Sequence, residues 1–142
     1  MQAADLTIVD NVGILGITPR ELDQFFTKPE VAKECVQELI SFLESENLNV
    51  FEKIIEPSFG QGAFVNAIKE HIADKRQLVI MDIDARDEQL RQNFLTFDHS
   101  RGLESVNCLT IGNPPFGKSC ALAIEFFNKS AQFSSIIAFI VR

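Results

Sequence analysis

Apolar positions recur along the chain at helical spacing in some stretches and as short continuous runs in others, the patterns of helices and of buried strands. From Pro29 to Leu43, Val31, Ala32, Cys35, Val36, Leu39, Ile40 and Leu43 keep helical spacing, and Thr27 just ahead marks an N-cap region. Ile54-Ile55 is a short apolar run ending at Pro57 and two glycines, which reads as a strand entering a tight turn. Ala63 to Ile72 returns to helical periodicity. Leu78 to Ile83 predicts a second strand, followed by a polar helix anchored by Leu90. Cys108 to Ile111 predicts a strand that stops at Asn113-Pro114-Pro115. Ala121 to Ala131 then reads as a helix and Ile136 to Val141 as a fully buried strand. Residues 1–20 mix apolar and polar types around Gly13, Gly16 and Pro19, and read as a loosely structured lead-in.

Strands alternating with helices imply right-handed β-α-β crossovers, and hence an α/β fold with a mostly parallel sheet. Such a sheet places ligands at the carboxyl ends of its strands. The 142 residues suffice for one domain, and no repeat or linker divides them. Apolar residues at 46% and charged residues at 23% predict a packed globular core. The longest apolar stretch, Ile136 to Val141, is too short to span a membrane, and no export signal is expected from the N-terminal residues. Cys35, Cys108 and Cys120 are odd in number and widely spaced, so neither disulfides nor a metal site is expected, and a cytoplasmic or nuclear location fits. The net charge of −7 counts against the chain gripping nucleic acid by itself, though not against its holding a catalytic pocket.

Four segments carry candidate chemistry. Glu56-Pro57-Ser58-Phe59-Gly60-Gln61-Gly62 falls between a strand and a helix, where closely spaced glycines let backbone N–H groups approach a ligand. Alone, such a turn is equally well structural. Asp82 follows Gly62 by twenty residues, the spacing at which an acid meets ribose hydroxyls, whereas Asp84 is the better candidate for capping a helix. Ile83 and Phe94 can sandwich an adenine, with Asn93 accepting from its amine, and they can equally be core residues.

Asn113-Pro114-Pro115-Phe116 is harder to explain as structure. Two successive prolines remove two backbone donors and stop the sheet, leaving the Asn113 side chain and the Pro114 carbonyl as rigid acceptors beside an aromatic ring. That arrangement suits a planar group bearing an NH2. Gly112 to Ser119 also matches the phosphate-loop pattern G-x-x-x-x-G-K-[ST]. A phosphate loop needs consecutive backbone N–H groups, however, and Pro114 and Pro115 have none. Lys118 and Ser119 are expected to start the next helix or to touch a substrate phosphate.

Together these segments resemble the N-P-P-Y/F amino-methyltransferases, particularly the DNA adenine-N6 methyltransferases. Phe25-Phe26-Thr27-Lys28-Pro29 looks like the family's opening motif, and Glu56 to Phe64 its D/E-P-x-x-G-x-G-x-F loop. Met81-Asp82-Ile83-Asp84 is similar to its acidic motif, Asn93-Phe94-Leu95 to its D-F-L, and Ile111 to Phe116 to its catalytic tetrapeptide. Asn93 departs from the usual Asp. The resemblance implies a Rossmann-like class I methyltransferase fold with helices on both faces, and S-adenosyl-L-methionine as cofactor. It implies a lead-in over 1–24 and a partial catalytic domain over 25–142, truncated after its fifth strand. Cofactor contacts would come from Phe26, Thr27, Pro29, Glu56, Pro57, Ser58, Gly60, Gly62, Phe64, Asp82, Ile83, Asn93 and Phe94. Asn113, Pro114, Pro115 and Phe116 would act on adenine N6 in DNA, through a recognition region outside this chain. RNA or protein-amide methylation shares the same tetrapeptide, and a catalytically incomplete subunit or fragment, working with a partner or as a homo-oligomer, is the other alternative.

Overall fold

The computed structural model describes residues 27–140 in full, together with the backbone of two N-terminal strands, β1 (Asp5–Val9) and β2 (Val12–Gly16). Those strands pair antiparallel with Leu6 opposite Leu15. The expected loose lead-in is therefore a hairpin over these residues. The β-branched Thr7, Ile8, Val9, Val12 and Ile14 favour extended backbone more strongly than the intervening glycines oppose it.

The remaining elements follow the alternation read from the sequence. They are α1 (Pro29–Ser45), β3 (Lys53–Glu56), α2 (Ala63–Lys69), β4 (Leu78–Ile80), β5 (Cys108–Gly112), α3 (Ala121–Ala131) and β6 (Ile136–Phe139). β3 to β6 form an all-parallel sheet in the order β4-β3-β5-β6. Ile54 lies opposite Leu78 on one side and Leu109 on the other, and Leu109 lies opposite Ile136. The described parallel strands number four, not five. Among the described residues no helix is long and apolar enough to cross a membrane.

Strand alternation sends side chains to both faces of the sheet. Ile54, Leu109, Ile111, Ile136 and Ala138 pack with Val36, Leu39 and Leu43 of α1 and Phe64 and Ile68 of α2. Ile55, Cys108, Ile137 and Phe139 face the other way, against Phe94, Leu103 and Phe126 of α3. The result is an α/β domain with helices on both faces. Burial of each large aliphatic side chain contributes about 1.5–3 kcal/mol. Three hydroxyls inside this core are satisfied locally, because Thr110 and Ser134 share a 2.6 Å hydrogen bond and Ser130 donates to the Phe126 carbonyl.

The polar helix expected around Leu90 does not form. Between Ala85 and Gln92 only Ala85 and Leu90 are apolar, too few for a stripe that could bury against the sheet. The segment folds instead as a loop: the Arg91 guanidinium donates to the carbonyls of Ala85 and Arg86, and Asp82 forms a parallel bridge with Arg91. α1 begins at Pro29 with Lys28 at its N-cap and no side-chain cap, so Thr27 does not cap it.

Phe94 is only 1% exposed, at the centre of an aromatic group with Phe97, Phe126 and Phe133 at ring separations of 6.4, 5.3 and 6.0 Å. Phe94→Ala is expected to lower unfolding free energy by about 3–5 kcal/mol, measured by urea denaturation, with Phe94→Leu recovering most of the loss. A loss below about 1 kcal/mol would contradict this placement.

Candidate functional site

The order β4-β3-β5-β6 makes β3 the strand from which the chain leaves first to one side and then to the other. Ligands of open α/β sheets bind at the carboxyl ends of the strands flanking such a reversal. β3 ends at Glu56 and β5 at Gly112, side by side in the sheet. A cleft opens there, lined by Thr27, Glu56, Ser58, Phe59, Gly60, Gln61, Ala63, Phe64 and Asn113. The cleft is partly open to solvent and has a volume of about 30 Å³.

The glycine loop is held by its own backbone. Gly60 and Gly62 have φ of +54° and +86°, which glycine adopts without strain. Gly60 N–H donates to Asp82 Oδ2 at 2.9 Å, and Phe59 N–H to the Met81 carbonyl at 3.2 Å. Asp82 Oδ1 accepts from Asp84 N–H at 2.8 Å, so Asp84 supplies a turn donor where a helix cap was expected. Asp82 Oδ2 thus holds the glycine loop and Oδ1 the turn after β4, and each keeps a further lone pair for a ligand.

Asn113 joins the two halves. Its carbonyl accepts from Ser58 Oγ at 3.3 Å, and its Nδ2 donates to Thr27 Oγ1 at 3.2 Å. Its Oδ1 is buried and has no donor among the described residues. Pro114 is buried and Pro115 exposed. Phe116 packs partly against the α1–α2 side of the core, while its carbonyl accepts from the N–H groups of Leu122 and Ala123. The chain turns at Gly117, where a Cβ would lie 2.7 Å from that of Leu122. Lys118–Cys120 form a single 3-10 turn ahead of α3, with Ser119 and Cys120 at positive φ.

Glu56 is 1% exposed, and its carboxyl fills the space beside Gly112, where a Cβ would come within 2.8 Å of Glu56 Cδ. Burial pushes its pKa from 4.5 up to about 8; the Ser58 N–H donated to Oε1 at 3.0 Å opposes that rise and the charge of Asp82 adds to it. The family resemblance implied Glu56 as a cofactor contact, but nothing in the sequence marks its burial.

The other expected contacts divide. Thr27, Glu56, Ser58, Gly60, Phe64 and Asn113 line the cleft, and Pro57 is buried beneath it. Gly62 caps α2, Pro29 is exposed at the start of α1, and Ile83 is 60% exposed next to Asp82. Phe94 belongs to the core instead, in a cluster that does not include Ile83. Asn93 Oδ1 accepts from Leu95 N–H at 3.0 Å, capping the short turn Phe94–Thr96. Phe26 lies outside the described residues. Phe59, Gln61 and Ala63 line the cleft although the sequence did not single them out; their position inside the glycine segment was the available signal.

Because the folded pKa of Glu56 lies above its ordinary value, its contribution to stability is complete below about pH 4.5 and is lost as the pH rises to about 8. Relative to the native chain, Glu56→Gln should therefore gain stability across that window, by at most about 1.4 kcal/mol per pH unit. Urea denaturation at several pH values reads this directly, and a difference that does not change with pH would contradict it.

Compared with protein-family models, curated proteins and solved structures, the chain matches none of them.

Proposed function

We propose that this chain carries a site for methyl transfer from S-adenosylmethionine to the exocyclic N6 amine of adenine in DNA, on a Rossmann-like methyltransferase domain. The observation that carries the reading is the hydrogen bond from Ser58 in the glycine loop to Asn113 in the N-P-P-F segment. It makes the glycine loop and the N-P-P-F turn parts of one cleft. The strand order, with the first parallel strand inside the sheet, supports the domain assignment.

S-adenosylmethionine would supply a methyl group on a positively charged sulfur: as N6 bonds to the methyl the S–CH3 bond breaks, S-adenosylhomocysteine leaves with the sulfur electron pair, and one N6 hydrogen passes to solvent as a proton. Ser58, Gly60 and Glu56 would hold its amino-acid end, Asp82 its ribose, and exposed Ile83 would cover its adenine. Adenine N6 is a poor nucleophile because its lone pair is delocalised into the ring. Asn113 Oδ1, buried without a donor, and the Pro114 carbonyl would accept the two amine hydrogens, returning the lone pair to nitrogen and aiming it at the methyl. The fixed φ of two prolines keeps those acceptors in place. Phe116 provides a ring on which an extruded base can stack. The charge of −7 favours a division of labour in which this chain holds the pocket and a basic surface elsewhere holds the duplex.

Transfer of tritiated methyl from S-adenosylmethionine to adenine-containing DNA, with RNA and protein as alternative acceptors, tests the proposal. Asn113→Ala is expected to cut transfer by about 100-fold or more while leaving S-adenosylhomocysteine binding within a few fold. Undiminished transfer by that variant would sink the role given to the tetrapeptide.

A further inference from the structure

The Thr27 hydroxyl does not cap α1, whose N-cap is Lys28 without a side-chain bond. It accepts instead from Asn113 Nδ2 at 3.2 Å, a contact that spans 86 residues of chain. Thr27 is only 9% exposed, so water competes little for that bond. Its support is rigid. Pro29 confines Lys28 to extended backbone, with φ of −63° and ψ of 140°, and buried Ala32, Cys35, Val36 and Leu39 anchor α1 on the sheet. Asn113 is held from the other side as well, because Ser58 Oγ donates to its backbone carbonyl at 3.3 Å.

An asparagine amide has an accepting end and a donating end of nearly the same shape. As it stands, Nδ2 is bonded to Thr27, and Oδ1 is buried with no donor among the described residues. Nearby donors are committed elsewhere: Ser58 N–H to Glu56, Phe59 N–H to the Met81 carbonyl and Gly60 N–H to Asp82. Reversed, the amide would take the Thr27 hydroxyl as its donor and offer NH2, which cannot accept an amine hydrogen. We propose that Thr27 is a positioning residue, whose hydroxyl turns the Asn113 amide so that Oδ1, and not Nδ2, meets the hydrogen of an incoming amine. The inference rests on the methyl-transfer reading above. Thr27 acts through Asn113, a role different from the cofactor contact that the family resemblance implied for it.

Thr27→Val keeps the shape and removes the hydroxyl, and Thr27→Ser restores it. In transfer of tritiated methyl to adenine-containing DNA, Thr27→Val should lower kcat by about tenfold. Its KM for S-adenosylmethionine and its affinity for S-adenosylhomocysteine should stay within about twofold of native, and Thr27→Ser should recover most of the lost rate. By nuclear magnetic resonance of the unliganded chain, the Asn113 side-chain NH2 should exchange with solvent about tenfold faster in Thr27→Val than in the native chain. Should Thr27→Val not fold, Thr27→Ala, read in the same way, takes its place. Equal exchange in variant and native chain, or a defect that falls on S-adenosylhomocysteine affinity and not on kcat, overturns the inference and leaves the methyl-transfer reading standing. If the native chain methylates no acceptor, that reading fails, and the exchange measurement by itself decides whether Thr27 sets the amide.

Discussion

β3 and β5 run parallel and adjacent, with Ile54 opposite Leu109 and Ile55 opposite Thr110. The pairing brings Glu56 and Gly112, far apart in the chain, to neighbouring strand ends. Gly112 has no side chain, and the Glu56 carboxyl occupies the space that a Cβ would take. From that packing follow the direction in which Asn113 leaves the sheet, its reach to Ser58 and Thr27, and the recess between them. Both faces of the sheet must be covered for the pairing to persist, because parallel strands of this kind are apolar on both sides. α1 and α2 cover one face, and α3 with the aromatic group around Phe94 covers the other.

The site combines rigid backbone with one buried carboxyl. Glycine conformations and the hydrogen bonds from Gly60 and Phe59 fix the loop, while two prolines fix the turn after β5. Glu56 is different, since its protonation follows from how deeply these elements bury it. Asn113 Oδ1 is likewise a buried acceptor with no donor among the described residues. Buried polar groups left in this state are costly, and they cluster where function calls for them.

Much of the architecture was legible in the sequence, because periodicity reports which face of an element is buried. α1 and α3 follow from their 3.6-residue repeats, and β5 and β6 from short apolar runs. The segment after β4 was misread, since charge and one leucine resemble a solvated helix until the lack of an apolar stripe is weighed. The hairpin at the N-terminus was masked by its glycines. Phe94 shows a different limit: an aromatic residue after a polar one fits a ligand sandwich and a core equally well, and only the packing of Phe97, Phe126 and Phe133 around it separates the two. Burial of Glu56 was illegible for the same reason, because it depends on a glycine on another strand.

The glycine loop and the N-P-P-F turn share one cleft, and under the proposed function both respond to the cofactor. Nuclear magnetic resonance of the isotopically labelled chain during titration with S-adenosylhomocysteine tests it most directly. The account predicts shifts concentrated at Ser58, Gly60, Gln61 and Gly62, at Asp82 and Ile83, and at the side-chain amide of Asn113. Shifts confined to other surfaces, or none at saturating ligand, would contradict it.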